Sequence, residues 1–236
     1  MSGVISIIIP VYNHAHTLKG CLDSVVKQQQ DLPEAGFEII VVNDGSTDNF
    51  QKVAEQLQKK YTFKLINQEN KGAPAARNAG FRESTGELVI FVDADTFCYP
   101  KMFKEMCDAL EKNPQASYVY SQFRFGWKKM KSHEFDKNLL KQNNYIDVTA
   151  MVRRGDFILF DESLKRFQDW DLWLTTLEQG KNGIFVPTVL YKKIVKGRKG
   201  MSSWLPSFVY KLPWKNQKVK DYEAAKEIVM KKHRLN

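Results

Sequence analysis

Apolar residues first recur along this chain in short dense runs, at residues 5–10, 37–42, 63–67 and, without a polar interruption, 88–92. Runs of this length, rich in Ile, Val and Phe, read as strands covered on both faces, as in a parallel sheet between helices. Between the runs the apolar spacing changes to three and four. Leu18, Cys21, Leu22, Val25 and Val26 mark one helix, and Phe50, Val53, Ala54 and Leu57 a second, with Ser46 or Asp48 as its cap. Ala75, Ala76, Ala79 and Gly80 give a third helix with a small-residue face, and Met102, Phe103, Met106, Cys107 and Leu110 a fourth. Strand and helix thus alternate, which predicts an α/β fold with a mostly parallel central sheet and right-handed crossovers.

After Asn113 the rhythm loosens. Residues 118–123 and 146–152 read as strands, and 124–144 is polar and basic with no sustained period. A helix starts near Asp169, with Trp170, Trp173, Leu174 and Leu177 as its buried stripe and Gly180 as its stop. A terminal helix is expected over 221–232, with Tyr222, Ala225, Ile228 and Val229 on one side. The expected organisation is one domain over 1–191, in halves 1–113 and 114–191, followed by a basic segment, 192–236.

Charge sharpens that division. The chain has 236 residues and a net charge of +9; the last 45 carry +10 and the first 191 carry −1. Such a tail suits an anionic partner. Within it Trp204, Leu205, Phe208, Val209, Tyr210, Leu212 and Trp214 interleave with Lys211 and Lys215, a mixture that suits a membrane interface, an acceptor edge or packing on the body. No apolar run has the length of a membrane span, and no basic patch precedes residues 5–9 as in a secretory signal. Cys21, Cys98 and Cys107 are scattered and odd in number, which fits reduced thiols and a cytoplasmic location.

The chemistry concentrates at strand ends. Asp93 and Asp95 follow the run 88–92, at the carboxyl end where α/β sheets bind ligands. If the extended conformation persists the two carboxylates point the same way, and a cation with oxygen ligands is their natural guest. The tips Pro10-Val11-Tyr12-Asn13 and Asn43 to Asp48 would adjoin: Asp44 is placed to accept from a base or ribose and Tyr12 to pack on a flat ring, while the same residues also make ordinary turns. Lys71 and Arg77 lie at a strand-to-helix turn, within reach of phosphates or base carbonyls. Asp169 and Asp171 stand about 200° apart on their helix, so at most one faces a cleft. There is no Gly-x-Ser-x-Gly, no Cys with a nearby His, no third ligand for His14 and His16, no Gly-x-Gly-x-x-Gly and no Walker loop. Nucleophilic hydrolysis, dinucleotide binding and P-loop chemistry are disfavoured.

In order, these segments resemble the inverting glycosyltransferase family 2, which has the GT-A fold. The likeness lies in Ser6 to Asn13, Val41 to Asp48, Asn70-Lys71-Gly72 through Gly80, Asp93-Ala94-Asp95, and Gln168 to Leu174. The resemblance implies a nucleotide-sugar half, 1–113, and an acceptor half, 114–191. It implies that Asp44 contacts the base, with Pro10, Val11, Tyr12, Asn13, Lys71, Arg77 and Ala94 lining the donor pocket. Asp93 would touch the ribose, or the metal through water. Asp95 would bind Mg²⁺ or Mn²⁺ with the diphosphate, and Asp169 would deprotonate the acceptor hydroxyl, with Asp171 in reserve. Gln168 departs from the pattern, where the family usually has Glu. The basic stretch 196–202 is expected to close over the diphosphate through Arg198 or Lys199. UDP is the default donor nucleotide, the expected acceptor is a glycan or lipid-linked molecule, and the protein is expected in the cytoplasm, at the inner face of the membrane; nucleic acid is not an expected partner. Two other readings stand beside this one: a basic protein that holds membrane or nucleic acid, and a sugar nucleotidyltransferase.

Overall fold

The computed structural model describes residues 3–194 and 217–235. The expected closing loop with Arg198 and Lys199, and the aromatic stretch 204–215, lie outside the described residues.

Four strands, β1 (Val4–Val11), β2 (Gly36–Asp44), β3 (Lys64–Gln68) and β4 (Leu88–Phe91), pair in parallel in the order β3-β2-β1-β4. The crossover helices are α1 (Ala15–Val26), α2 (Phe50–Gln58) and α3 (Ala73–Arg82). The period-two pattern of β1 assigns them to layers. Ile5, Ile7 and Ile9 pack with Leu18, Leu22 and Ala54 on one face, and Ile8 packs with Ala76 on the other. The strand order therefore reverses between β1 and β4, and the crevice at such a switch point is where α/β sheets take ligands. Close approach of α3 to the sheet depends on Gly80, where a Cβ would stand 2.4 Å from Ile8 Cγ2.

The sheet continues through β5 (Thr96–Cys98), β6 (Tyr118–Phe125), β7 (Lys128–Lys129), β8 (Met151–Arg153) and β9 (Gly183–Lys193). Its full order is β3-β2-β1-β4-β8-β6-β9-β5, with β7 on β6. The first half is parallel, as the periodicity implies. Beyond β4 the sheet is mixed: β8 is antiparallel to β4 and β6, β5 is antiparallel to β9, and β6 and β9 run parallel. The strand expected over 146–152 contracts to β8, because Ile146 and Val148 leave the sheet and join the core beneath the next helices.

Helix α4 (Met102–Lys112) covers one face; α5 (Lys137–Gln142), α6 (Gln168–Glu178) and α7 (Gln217–Lys232) belong to the other. Gly180 adopts φ +76° at the end of α6, as a C-terminal stop requires. The boundary expected at 191/192 falls inside β9. Nor does α7 stand apart from the body: Val229 and His233 are buried, while Ile228, expected on the packed side, is 57% exposed. Its packed stripe runs instead through Val219, Tyr222, Val229 and His233, and Tyr222 meets Phe167 edge-on at 4.9 Å.

His233 holds this docking. Its Nε2 lies 2.8 Å from Asp171 Oδ1 and its Nδ1 2.8 Å from Glu178 Oε1, while Lys232 bridges Asp171 and Asp161. Burial opposes the charged ring, but the hydrogen bonds and charges of Asp171 and Glu178 outweigh it and raise its pKa above the ordinary 6.5. The contribution of this contact is therefore complete below about pH 6.5 and fades as pH rises through the folded-state value. Limited proteolysis within 217–235 should accelerate between pH 6 and pH 9 in the wild type and become pH-independent in His233→Gln.

Candidate active site at the carboxyl ends of β1, β2 and β4

The tips of β1 and β2 are latched by side chains. Asn13, at φ +56°, accepts from Thr47 N (2.7 Å) and Asp48 N (3.1 Å), and its own N–H donates to Ser46 Oγ at 3.1 Å. Asp48 accepts from Ala15 N at 3.0 Å, so it caps α1 across the gap, besides accepting from Phe50 N at 3.2 Å. Asp44 is 2% exposed, and its carboxylate accepts from Gln68 Nε2, Lys71 N and Gly72 N at 2.7–2.9 Å. Those bonds pin the entry to α3, where Gly72 needs φ +91°. Asp44 and Asn13, read from sequence as ligand contacts, are thus first the brackets of their own turns. Val11 and Ala94 bury their side chains, leaving only main-chain groups for a ligand, whereas Tyr12 is about half exposed and Lys71 is exposed.

The acidic pair does not stay extended. Thr96 N donates to Asp93 O at 2.8 Å, which closes a turn over Ala94 and Asp95. Asp93 takes Arg77 Nη2 at 2.7 Å on one oxygen and Lys193 Nζ at 3.0 Å on the other. Burial alone would raise its pKa; Lys193 and Arg77 override that and hold it well below the usual carboxylate range. Asp95 differs. Its Oδ1 is buried with no hydrogen-bond partner among the described residues. Burial first, then the charges of Asp93 and Asp147, raise its pKa despite Lys193 and His14. His14 itself caps the chain entry to α1 and keeps a buried, unpartnered Nδ1.

Two residues of this cluster escaped the sequence reading. Lys193, the last residue of β9, bridges Asp93 and Asp147, the latter at 2.8 Å. Asp147 also accepts from Tyr191 Oη and Thr149 N, each at 3.0 Å. The available signal was the apolar run ahead of Lys192 and Lys193, obscured by Pro187 and by the charge of the tail. The Lys193 ammonium is held charged by Asp147 and Asp93 against the cost of burial. Lys193→Met would leave Asp147 without its ion-pair partner and Asp93 with Arg77 alone. It should lower unfolding free energy by about 2–3 kcal/mol in urea titration at pH 7, and the deficit should shrink near pH 4 as the acids take up protons.

Asp169 lies on the first turn of α6, after Phe167 at φ +59°. Burial and the charge of Asp147 raise its pKa, while hydrogen bonds from Asn144 and Trp170 N and the charge of Lys193 oppose the rise. Asp171 is directed elsewhere: it is 3% exposed and bound by His233 and Lys232, so the reserve candidate anchors α7. Gln168 accepts from Arg77 Nη1 at 3.4 Å, a neutral contact where a Glu would compete with Asp93 for the guanidinium. The cluster therefore sets four carboxylates, Asp93, Asp95, Asp147 and Asp169, against two permanent cations, Arg77 and Lys193. An unpartnered carboxylate oxygen and an excess of negative charge fit a divalent cation. No cage of three or more His, Cys, Asp or Glu side chains occurs among the described residues; Mg²⁺ is commonly held by one or two carboxylates together with substrate phosphates.

The sequence profile of Glycosyl transferase family 2 matches residues 6–166, more than half of the chain. The chain belongs to glycosyl transferase family 2. That match includes the Asp93–Asp95 turn and stops short of Asp169. A family relative, the glycosyltransferase YibD of Escherichia coli, is 40% identical over 103 residues, 43% of this chain and 29% of its own length. The chain thus spans about a third of the curated relatives it matches. Among solved structures, S. aureus TarS 1–349 in complex with UDP-GlcNAc superposes with a TM-score of 0.74, covering 95% of this chain and 65% of that one at 20% identity. The mannosyltransferase PcManGT from Pyrobaculum calidifontis, in complex with GDP-Man and Mn²⁺, gives 0.67, covering 84% and 59%, also at 20% identity. These likenesses establish the GT-A-like fold of the family 2 domain. Among the described residues no helix is long and apolar enough to cross a membrane.

Proposed function

We propose that this protein transfers a sugar from a nucleotide diphosphate donor, UDP by default, to an acceptor hydroxyl with inversion. The observation that carries the reading is Asp95: at the sheet's switch point, two residues from an ion-paired Asp93, its Oδ1 is buried with no hydrogen-bond partner among the described residues. Asp95 would hold Mg²⁺ or Mn²⁺. A divalent ion, when bound, stabilises negative charge on the leaving diphosphate.

The rest follows from the chain's own groups. Tyr12 packs on the base, and Asp44 shapes the pocket by pinning the Lys71–Gly72 turn. Arg77 and Lys193 keep Asp93 ionised and oriented as an acceptor for the ribose hydroxyls. Asp169 takes the acceptor proton; the acceptor oxygen bonds to the anomeric carbon while the bond to the diphosphate breaks on the opposite side. The raised proton affinity of Asp169 suits a base near neutral pH better than an exposed carboxylate would. Relatives solved with UDP-GlcNAc and with GDP-Man and Mn²⁺ support the donor class and the metal. A glycan or lipid-linked acceptor follows from the same family reading, and Arg198 and Lys199 remain candidates for closing on the diphosphate.

Thermal shift with UDP-, GDP- and dTDP-sugars, with and without Mn²⁺, tests this. A ligand that binds only the native state raises Tm by mass action, so at 100 times Kd the gain is about 2.7 kcal/mol. Stabilisation by one nucleotide series only in the presence of Mn²⁺ supports the reading. No stabilisation by any of them defeats it, and release of pyrophosphate in place of a nucleoside diphosphate would favour the nucleotidyltransferase.

A further inference from the structure

The turn joining β6 to β7 begins beside the site: Gly126 N donates to the carbonyl of Lys193 at 2.9 Å. At its tip Trp127 is 88% exposed, the highest value among the exposed large apolar side chains of the described residues. The tip is pinned rather than loose, since Arg124 Nη1 donates to Trp127 O at 3.1 Å and β6 pairs with β7 on either side. Arg124, Lys129 and Lys131 are exposed and Lys128 is partly so. From Arg124 to His133 there is no acidic residue, although the first 191 residues together carry only −1. A single bare indole amid four cations is therefore a local feature on an otherwise balanced body.

We propose that the β6–β7 turn docks the protein on an anionic lipid surface. Trp127 seats at the headgroup boundary, where an amphipathic ring is favoured, and Arg124, Lys128, Lys129 and Lys131 face lipid phosphates. Charge decides for this occupant over a stacked sugar. A sugar hydroxyl both donates and accepts, and the side chains of residues 124–131 supply cationic donors but no carboxylate, amide or hydroxyl acceptor. Because the turn adjoins Lys193, docking brings the cleft to the bilayer surface, where a lipid-linked acceptor would present its hydroxyl. That last consequence, unlike the docking itself, rests on the proposed transferase reading.

Co-sedimentation of the full chain with phosphatidylcholine vesicles, and with vesicles containing 30% phosphatidylglycerol, tests the docking. The wild type should bind only the anionic vesicles and release in 0.5 M NaCl. Trp127→Ala should lower the partition coefficient by roughly tenfold, and Lys129→Glu with Lys131→Glu by at least roughly thirtyfold. Both variants should keep the wild-type Tm and donor-induced thermal shift, since the side chains are exposed. Wild type that ignores anionic vesicles overturns the proposal, and so do variants that bind like wild type, which would move the contact to another segment. Intact vesicle binding with a raised acceptor KM in Trp127→Ala also overturns it and assigns the ring to the acceptor sugar. Loss of the donor shift with vesicle binding retained would count against the transferase reading alone.

Discussion

Asp169→Asn is expected to lower kcat by roughly 10²–10⁴, the usual contribution of a positioned general base. Donor binding, read as the nucleotide-dependent rise in Tm, should be preserved, because the amide keeps the size of the carboxylate and one acceptor oxygen. The expectation rests on environment. Burial and Asp147 raise the proton affinity of Asp169, whereas the carboxylate of Asp171, two residues on, is taken up by His233 and Lys232. Asp171→Asn should therefore leave kcat within a few-fold and loosen α7, seen as faster proteolysis within 217–235. The pair of variants separates the two candidates that helical geometry alone left open. If Asp171→Asn abolishes turnover while Asp169→Asn does not, the assignment is reversed. The acid limb of the rate profile should lie above the ordinary 3.8, since the catalytic carboxylate must be ionised.

Asp95→Asn is expected to do two opposite things. It should raise the melting temperature of the metal-free protein by a few degrees, at roughly 2–4 °C per kcal/mol for a chain of this size, and remove stabilisation by Mn²⁺ with the donor. It should also lower kcat/KM by at least roughly 10³, since the leaving diphosphate loses the ion that stabilises its charge. The first effect follows from linkage. The pKa of Asp95 is raised in the fold, so its ionised form destabilises the native state at neutral pH and protonation relieves it. Stability of the metal-free wild type should accordingly gain as pH falls through that value, and the Asn variant should lack this component. Melting curves from pH 4 to 8, without metal and with excess Mn²⁺, measure both. Such a gain in stability with loss of function is what a strained, charge-collecting site gives when it is relieved.

Legibility differed along the chain for identifiable reasons. β1, β2, β4 and α1 to α4 were readable because each buries a face large enough to impose its pattern on the sequence, and β3, which buries no residue fully, was readable from the short run around Leu65 and Ile66. β5 and β7 are three and two residues long, too short for any period. β9 was hidden by Pro187 and by its exposed middle, and α5 is one short amphipathic stretch in a polar region. Lys193 was counted with the basic tail because its charge matched that of its sequence neighbours. Only the pairing of Thr96 with Lys193 across β5 and β9 brings it to Asp93.

From the chain alone came the alternating α/β order, the two acids at a buried strand's carboxyl end and the family likeness; these rest on local spacing, which a linear text preserves. Tertiary structure decided which carboxylates are free. Asp44 and Asp93 follow apolar strands and Asp171 lies in the stripe of a buried helix, yet the first brackets a turn, the second joins two cations and the third anchors a helix. Asp95 and Asp169 are left with raised proton affinity, because partners from residues 68, 71 and 72, from 77 and 193, and from 232 and 233 bond directly to the other three acids, whereas burial dominates at these two.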